Sequence, residues 1–403
     1  MTVLSGKHIL LGATGSIAAF KAADLASKLT QLGAQVDVIL TPAAEKFVTP
    51  LTFQSVTGRR AYTDADLWGG EAHILHIGLA HQADLFVIAP CTANTISKLA
   101  YGAADNLLSI TALAAQCALL IAPAMDGGMF DASVTQDNLQ TLTKRGATIA
   151  GPAEGRFASG LIGKGRLLEP NELIGQIRLV LGRNGRLADK KVVVTAGGTQ
   201  EPLDPVRVLT NKSSGKQGYA LAQAALDSGA EVTLITTPTN LTVPVGVHLI
   251  EVESAQQMYK GVLSESAKAD ALIMAAAVAD FRPKKTAKNK MKKREGIPQI
   301  ELEETEDILK AVVSNQSGKN RPRVVVGFAA ESRDLLANAS EKLMSKRLSF
   351  MVANDISSGD AGFSVETNRV TLLFPDGKKE SLPLMSKAEV AEVVIERVAA
   401  LLE

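Results

Sequence analysis

His8-Ile-Leu-Leu-Gly-Ala-Thr-Gly-Ser-Ile-Ala18 is the stretch that decides the fold. An apolar run short enough for a buried strand ends in small residues, and a helical pattern over 17–32 follows. Strand, glycine turn and helix in that order open a parallel α/β unit. Outward from it, similar runs stand at 36–40, 85–89 and 118–122, with a helical stretch at 172–181. The polar segment 182–190 then interrupts the pattern, which restarts with Val192-Val-Val-Thr-Ala-Gly-Gly-Thr199. Further strand runs follow at 232–236, 271–275, 324–327 and 350–353, between helical stretches such as 219–228 and 335–346. Strands that are apolar throughout are covered on both faces, which predicts parallel sheets between helices. The expected fold is α/β with two doubly wound domains, 1–182 and 189–403, joined by a linker at 183–188. Each is long enough to bury its own core. The motifs of the two halves differ, so the restart is not a repeat.

Composition narrows the function classes. The 403 residues are 46% apolar and 21% charged, and 43 basic against 42 acidic residues leave a net charge of +1. That balance gives no general attraction to nucleic acid. Aromatic residues are 4%, too few for base-stacking platforms. Two cysteines, Cys91 and Cys117, build neither a disulfide framework nor a four-cysteine zinc site. No apolar run reaches the roughly 18 residues of a membrane span, and no signal peptide is indicated. A cytoplasmic enzyme without membrane or nucleic-acid partners is the expectation.

In the first half, Gly12-Ala-Thr-Gly15-Ser16-Ile17-Ala18 lets backbone N–H groups approach a phosphate at a helix start. A flavin mononucleotide, a dinucleotide or a sugar phosphate all suit that turn. Ala89-Pro-Cys-Thr92-Ala-Asn94-Thr95 and Ala122-Pro-Ala-Met-Asp126 follow later strands. Ligands of open sheets sit at the carboxyl ends of strands, so Thr92, Asn94 and Asp126 should converge. His73 and His76 lack acidic or cysteine partners at ligand spacing, which favours a base at His76 over a metal site.

In the second half, Thr210-Asn-Lys-Ser-Ser-Gly-Lys216 precedes a helix and suits an anion. Residues 284–294 hold seven basic side chains in eleven, either a solvated loop or a lid over phosphates. Thr305-Glu-Asp-Ile-Leu309 reads as a helix start with Thr305 as its cap. Lys342 and Lys346 share one helix face, as a solvated pair or a phosphate clamp.

Taken together, Gly15-Ser-Ile-Ala-Ala-Phe-Lys21, His76-Ile-Gly-Leu79, Pro90-Cys-Thr-Ala-Asn-Thr95, Ala104-Asp-Asn-Leu-Leu108 and Pro123-Ala-Met-Asp-Gly-Gly-Met129 resemble the flavin-containing cysteine decarboxylases. The likeness is to the decarboxylase half of the bacterial bifunctional phosphopantothenoylcysteine decarboxylase/phosphopantothenate–cysteine ligases. The resemblance implies a flavodoxin-like domain with FMN held by Gly15, Ser16, Thr41, Thr92 and Asn94, and His76 as base. It also implies oxidation of the cysteinyl thiol to a thioaldehyde, loss of CO2, return of a hydride and protonation. Two positions depart from the family pattern. Asp126 stands where Asn is usual, and Ser159 stands where the proton-donating Cys is usual. A hydroxyl is a far weaker acid than a thiol. An Asp126 carboxyl desolvated beside the substrate's carboxylate would stay protonated and take over the donation.

The second half resembles the ligase of the same bifunctional family. The matching residues are Gly197-Gly-Thr-Gln-Glu-Pro-Leu-Asp-Pro-Val-Arg207, Asn211, Ser213-Ser-Gly-Lys216, Ala275-Ala-Ala-Val-Ala-Asp280-Phe-Arg-Pro283, Gly327-Phe-Ala-Ala-Glu331 and Ala353-Asn-Asp-Ile356. Ser349 is a departure from a frequent Asp. A Rossmann-like ligase domain is implied, in which CTP and Mg2+ activate phosphopantothenate as an acyl-cytidylate that cysteine attacks. By that resemblance Met274, Ala275, Ala276, Asp280 and Phe328 recognise cytidine. Glu306, Asp307, Ile308 and Leu309 contact the nucleotide, and Lys342 and Lys346 bind the triphosphate. Arg207, Asn211 and Lys290 serve acyl transfer. A homo-oligomer is implied, with a trimeric FMN domain and a dimeric ligase domain that together allow a dodecamer. The competing readings are an active ligase whose decarboxylase has decayed into an FMN-binding scaffold, and a two-domain NAD-dependent dehydrogenase. The missing dinucleotide fingerprint disfavours the latter.

Overall fold

The computed structural model describes residues 2–68, 74–156, 160, 162–293, 297–314, 321–331, 335–355 and 365–403. The chain divides into two compact units, 1–182 and 183–403.

The first unit runs β1 (His8–Ala13), α1 (Ala19–Gln31), β2 (Gln35–Leu40), α2 (Pro50–Thr57), β3 (Ala61–Tyr62), α3 (Leu75–Gln82), β4 (Leu85–Cys91), α4 (Ala93–Tyr101), α5 (Leu107–Ala114) and β5 (Ala118–Pro123). It continues through α6 (Gly127–Asp131), α7 (Ser133–Lys144), β6 (Thr148–Ile149), the hairpin β7 (Ala153–Arg156) and β8 (Ile162–Arg166), and α8 (Pro170–Gly182). Its parallel sheet has the order β3-β2-β1-β4-β5-β6. The edge strand β3 is two residues long. Without it, the order around β1 is that of a flavodoxin-like sheet. Successive residues of β1 serve opposite faces: Ile9 and Leu11 join one core with Leu25 and Leu29 of α1, while Leu10 joins another with Phe86, Ile96 and Leu108. That alternation explains the unbroken apolar strand. On α1 the buried residues Ala22, Leu25, Ala26 and Leu29 form one stripe at helical spacing. Each fully buried leucine there contributes roughly 1.5–3 kcal/mol.

The second unit runs β9 (Lys191–Ala196), the hairpin β10 (Gln200–Asp204) and β11 (Arg207–Thr210), α9 (Lys216–Asp227), β12 (Glu231–Thr236), β13 (His248–Glu251), α10 (Ala255–Ser266) and β14 (Ala271–Met274). The hairpin β15 (Phe281–Pro283) and β16 (Leu302–Glu304) follows, then α11 (Ile308–Ser314), β17 (Val324–Glu331), α12 (Leu335–Ser345) and β18 (Phe350–Asp355). Last come β19 (Thr367–Asn368), β20 (Val370–Leu373), β21 (Lys379–Ser381), β22 (Met385–Ser386) and α13 (Lys387–Leu402). The main sheet has the order β13-β12-β9-β14-β17-β18-β20-β21. Its first six strands are parallel and wind both ways from β9, as in a Rossmann-like sheet. Beyond β18 the pairing turns antiparallel, which the strand runs alone did not foretell. Phe374-Pro-Asp-Gly377 returns the chain at once: Asp376 Oδ1 accepts the Lys378 N–H at 2.9 Å, and Gly377 takes φ +85°. Strands joined by so short a turn must pair antiparallel. Ser349, the departure from Asp, accepts the Val325 N–H on Oγ at 3.0 Å at the start of the β17–β18 pairing.

Candidate functional site

Both sheets have a switch point, where successive crossovers leave in opposite directions and open a crevice. In the first unit it lies between β1 and β4. The loop after β1 is locked to the end of β4, because Thr14 donates Oγ1–H to the Pro90 carbonyl at 2.8 Å and accepts the Thr92 N–H at 3.0 Å. Gly15 is required by contact: a Cβ there would stand 2.4 Å from Ala43 Cβ. The turns after β1 and β2 therefore touch through bare backbone. Ser16 Oγ accepts the Ala18 N–H at 3.2 Å, and α1 begins at Ala19 rather than at 17. Thr41 is buried beside Ala13 and Ala44. Thr92 caps α4, accepting the Thr95 N–H, and Asn94 lies exposed on its first turn. This brings Gly15, Ser16, Thr41, Thr92 and Asn94 to the carboxyl ends of three adjacent strands. Large apolar side chains stand open on the same helix start, Ile17 at 61% and Phe20 at 60% exposure.

His76 lies in the first turn of α3, half-buried, and its Nδ1 has no hydrogen-bond partner among the described residues. His73 lies outside the described residues. Asp126 caps α6, with Oδ1 accepting the Gly128 N–H at 2.9 Å, and is exposed. The desolvation expected of it is thus not supplied by this chain alone. The preceding residue, Met125, donates its N–H to the Gly165 carbonyl at 2.9 Å, and a Cβ on Gly165 would meet the Met125 carbonyl at 2.3 Å. The hairpin β7–β8 is thereby pinned to the Pro-Ala-Met turn. Ser159, between those strands, lies outside the described residues. Cys91 is fully buried, which pushes its thiol far up, and burial raises Cys117 as well, so neither is an accessible thiolate.

The second unit's switch point, between β9 and β14, opens into a crevice of about 940 Å³. Its wall after β14 is the run 275–280, fixed by backbone: the Ala277 N–H donates to Gly197 O at 2.8 Å, and the Ala276 and Ala279 N–H groups reach the Thr195 and Thr199 hydroxyls at 3.0 and 2.9 Å. The opposite wall is the loop 211–215 leading into α9. That helix starts at Lys216, because Gly215 takes φ +77° at its cap. Gly218 admits the close approach of α9 to β9, since a Cβ would stand 2.5 Å from Ala196 Cβ. Asn211 spans the walls, donating Nδ2–H to Ala277 O at 3.1 Å. Asn211, Met274, Ala275, Ala276, Asp280, Glu306, Asp307, Ile308, Leu309, Phe328, Lys342 and Lys346 all line this one crevice.

Asp307, not Thr305, caps α11, accepting the Lys310 N–H at 3.0 Å; Thr305 instead donates to Ala279 O at 2.6 Å. Burial works against ionisation of Asp307, but the Lys310 N–H and the Lys346 ammonium at 3.0 Å outweigh it and hold the carboxyl below its usual value. Lys346 is therefore held at the crevice by its own counter-ion.

Arg207 and Lys290 are not among the lining residues. Arg207 donates Nη2–H to the Met291 carbonyl at 2.7 Å, and Asp204, buried beneath, accepts the Met291 N–H at 3.2 Å. Ala287 N and Thr286 Oγ1 bond the carbonyls of Leu203 and Pro202. The described part of the basic loop is thus docked on the β10–β11 hairpin, with Lys290 adjoining Met291, the residue that Arg207 holds. Desolvation raises Asp204, yet the N–H groups of Val206, Met291 and Arg207 with the Arg207 charge leave it below its usual value.

Sequence reasoning gave no role to Gln217, Asn354, Asn368 or Lys387, which also line the crevice. Asn354 was findable as the polar residue ending an apolar strand. Lys387 opens α13 behind a Ser386–Glu389 capping box, whose S-x-x-E pattern is readable. Burial and then the neighbouring Lys216 lower the Lys387 ammonium, with Glu366 opposing them.

Residues 2–182 match the family described as Flavoprotein, and residues 187–402 match the DNA/pantothenate metabolism flavoprotein C-terminal domain. The coenzyme A biosynthesis bifunctional protein CoaBC of Bacillus subtilis (strain 168) is 44% identical over 402 residues, covering 99% of this chain and 98% of its own. That of Vibrio vulnificus (strain YJ016) is 43% identical over 404 residues, with all of both chains covered. A crystal structure of the C-terminal domain of a CoaBC protein is 39% identical and covers 54% of this chain and 98% of its own, at a TM-score of 0.46.

Proposed function

This chain belongs to the CoaBC family of bifunctional coenzyme A biosynthesis proteins, and from that premise we propose which residues carry its two activities. It is a phosphopantothenate–cysteine ligase and a phosphopantothenoylcysteine decarboxylase in one chain, the second half ligating and the first decarboxylating. The observation that carries the reading is the single crevice at the second switch point, where strand ends and helix starts gather carboxylates, lysines and apolar backbone.

In the ligase reading CTP occupies that crevice. Met274, Ala275, Ala276, Asp280 and Phe328 hold the cytidine. Glu306 and the α11 start at Asp307, Ile308 and Leu309 contact the nucleotide, with Lys342 and Lys346 on the phosphates. Among the described residues no group of three or more Asp, Glu, His or Cys is placed to hold a metal ion, so Mg2+ would enter on the CTP phosphates rather than in a protein cage. The phosphopantothenate carboxylate attacks the α-phosphorus and pyrophosphate leaves; the cysteine amine then attacks the acyl carbon, CMP leaves and the amine proton is lost. Asn211 orients the acyl group, and Arg207 and Lys290 counter its charge from the docked hairpin. Exposed apolar residues on this hairpin and its neighbour, Val206 at 62% and Phe281 at 50%, suit a second copy that brings the pair onto a crevice.

In the decarboxylase reading FMN lies at the first switch point. The bare backbone at Gly15 and the small residues of its loop fit a phosphate, and exposed Ile17 and Phe20 fit an apolar ring or a second copy. When bound, FMN supplies the two-electron redox chemistry at the substrate's cysteinyl carbon. Gly15, Ser16, Thr41, Thr92 and Asn94 hold it, and His76 takes the proton released at the thiol. Asp126 or the Ser159 hydroxyl returns a proton to the product, with Asp126 favoured once substrate and a second copy cover it. A homo-oligomer in the cytoplasm, trimeric through the first unit and dimeric through the second, completes the reading.

Mass spectrometry of the products from phosphopantothenate, cysteine, CTP and Mg2+ tests it, with phosphopantetheine expected. Asp126→Asn should accumulate a species two hydrogens lighter. Undiminished saturated product from that variant removes Asp126 as donor, and product stalled in the wild type supports the decayed scaffold.

A further inference from the structure

One buried polar atom in the ligase crevice has no use in the reading above. Asn354, next to last in β18, is 9% exposed, and its Oδ1 has no hydrogen-bond partner among the described residues. Buried acceptors in native proteins are almost always paired, so an orphan at a crevice wall points to a ligand.

The orientation of that amide follows from a series of bonds that starts on the backbone. The Lys387 carbonyl can only accept, and it takes Gln217 Nε2–H at 3.1 Å. Gln217 Oε1 is thereby turned to accept from Asn368 Nδ2 at 2.8 Å. Asn368 Oδ1 in turn accepts from Asn354 Nδ2 at 3.4 Å. Every NH2 group points toward Lys387 and every carbonyl points away, so the last carbonyl is the unpaired one. All four residues line the crevice.

We propose that Gln217 and Asn368 are positioning residues that hold Asn354 with its carbonyl toward bound substrate, where it accepts an N–H or O–H of that substrate. A phosphate oxygen at this place would be repelled, because two acceptors face each other. The donor is an amino or hydroxyl group, carried by CTP, by cysteine or by phosphopantothenate. The inference rests on the ligase reading of this crevice.

Pyrophosphate release by the full chain is measured with each substrate varied in turn. Gln217→Leu and Asn368→Leu free the amide to turn. Each should raise KM about tenfold for the one substrate that supplies the donor, the effect of one lost hydrogen bond. The kcat and the other two KM values should stay within about twofold of wild type. Gln217→Glu and Asn368→Asp set a carboxylate oxygen against the Lys387 carbonyl or Gln217 Oε1 in place of the NH2 donor, so each should raise the KM of that same substrate at least as much. The substrate whose KM moves names the source of the donor. A unit that is merely loosened would lose kcat and all three affinities together, equally in both kinds of variant, and that outcome overturns the inference. Unchanged KM values in the leucine variants also overturn it. If a leucine variant does not fold, Asn368→Ser takes its place with the same tenfold expectation. A wild-type protein that ignores CTP but uses ATP overturns the nucleotide assignment alone, and the same arms are then run with ATP.

Discussion

The two switch points differ in how much of a site one chain completes. Between β9 and β14 the carboxyl strand ends, the α9 start, Lys342 of α12 and Lys346 just past it enclose a crevice, and its polar walls are bonded to each other before any ligand arrives. Between β1 and β4 the turns are locked just as firmly by Thr14, yet Ile17, Phe20, Asn94 and Asp126 stay open to solvent. The same topology thus yields an internal cleft in one unit and a rim in the other. A ligand rich in phosphate is served by loops alone, whereas a large planar ring needs a cover that a single strand-end rim lacks.

The largest expected effect separates the two chemically. His76→Asn should lower CO2 release by about 10²–10⁴-fold, the usual weight of a general base. The bound-flavin absorbance should persist, and pyrophosphate release should match wild type. A parallel fall in pyrophosphate release would mean that the halves are not independent, and loss of the flavin spectrum would make His76 structural.

A matched pair of glycines tests the same independence by stability. Gly15→Ala would push a Cβ to 2.4 Å from Ala43, and Gly218→Ala would push one to 2.5 Å from Ala196. Overpacking of this kind costs about 1–3 kcal/mol. Scanning calorimetry should show each lowering only its own unit's transition, with flavin lost only from Gly15→Ala. If one transition shifts for both, the comparison of separate units fails.

The smallest effect concerns the crevice's own counter-ion. Asp307 has a lowered value in the folded state, so its contribution is present above the ordinary carboxylate value near pH 4 and fades as pH falls through the lower one. Both partners are partly exposed, which limits the pair to under about 1 kcal/mol. Asp307→Asn should therefore be slightly less stable in urea at pH 7, with the difference shrinking as pH falls below about 4. A constant difference across that range would assign the effect to the cap of α11 instead.

The apolar strands were legible because both of their faces are buried, and the strand-end residues were legible because open sheets bind ligands there. The antiparallel edge was missed although Pro375-Asp-Gly377 marks a turn, since 379–381 is polar and reads as loop. The start of α9 was placed three residues late, because Gly215 sets the cap by conformation and leaves no side-chain signature. Lys290 and Arg207 were grouped by the family resemblance alone, with no local pattern that joins them. Their joining through Met291 is a tertiary fact between residues 84 positions apart in the chain. The amide series from Lys387 to Asn354 spans α9, β18, β19 and α13, so no local pattern announces it.

The antiparallel edge of the second sheet has a consequence for solubility. Its last strand, β21, offers three residues with Lys379 outermost, while Glu380 is held by Arg397 at 2.7 Å. A strand so short and charged is a poor template for another chain. Replacing Lys379 and Ser381 with valine would lengthen the apolar edge and invite end-to-end pairing of sheets. The eight-stranded sheet is thus kept from growing by addition of further strands at that edge.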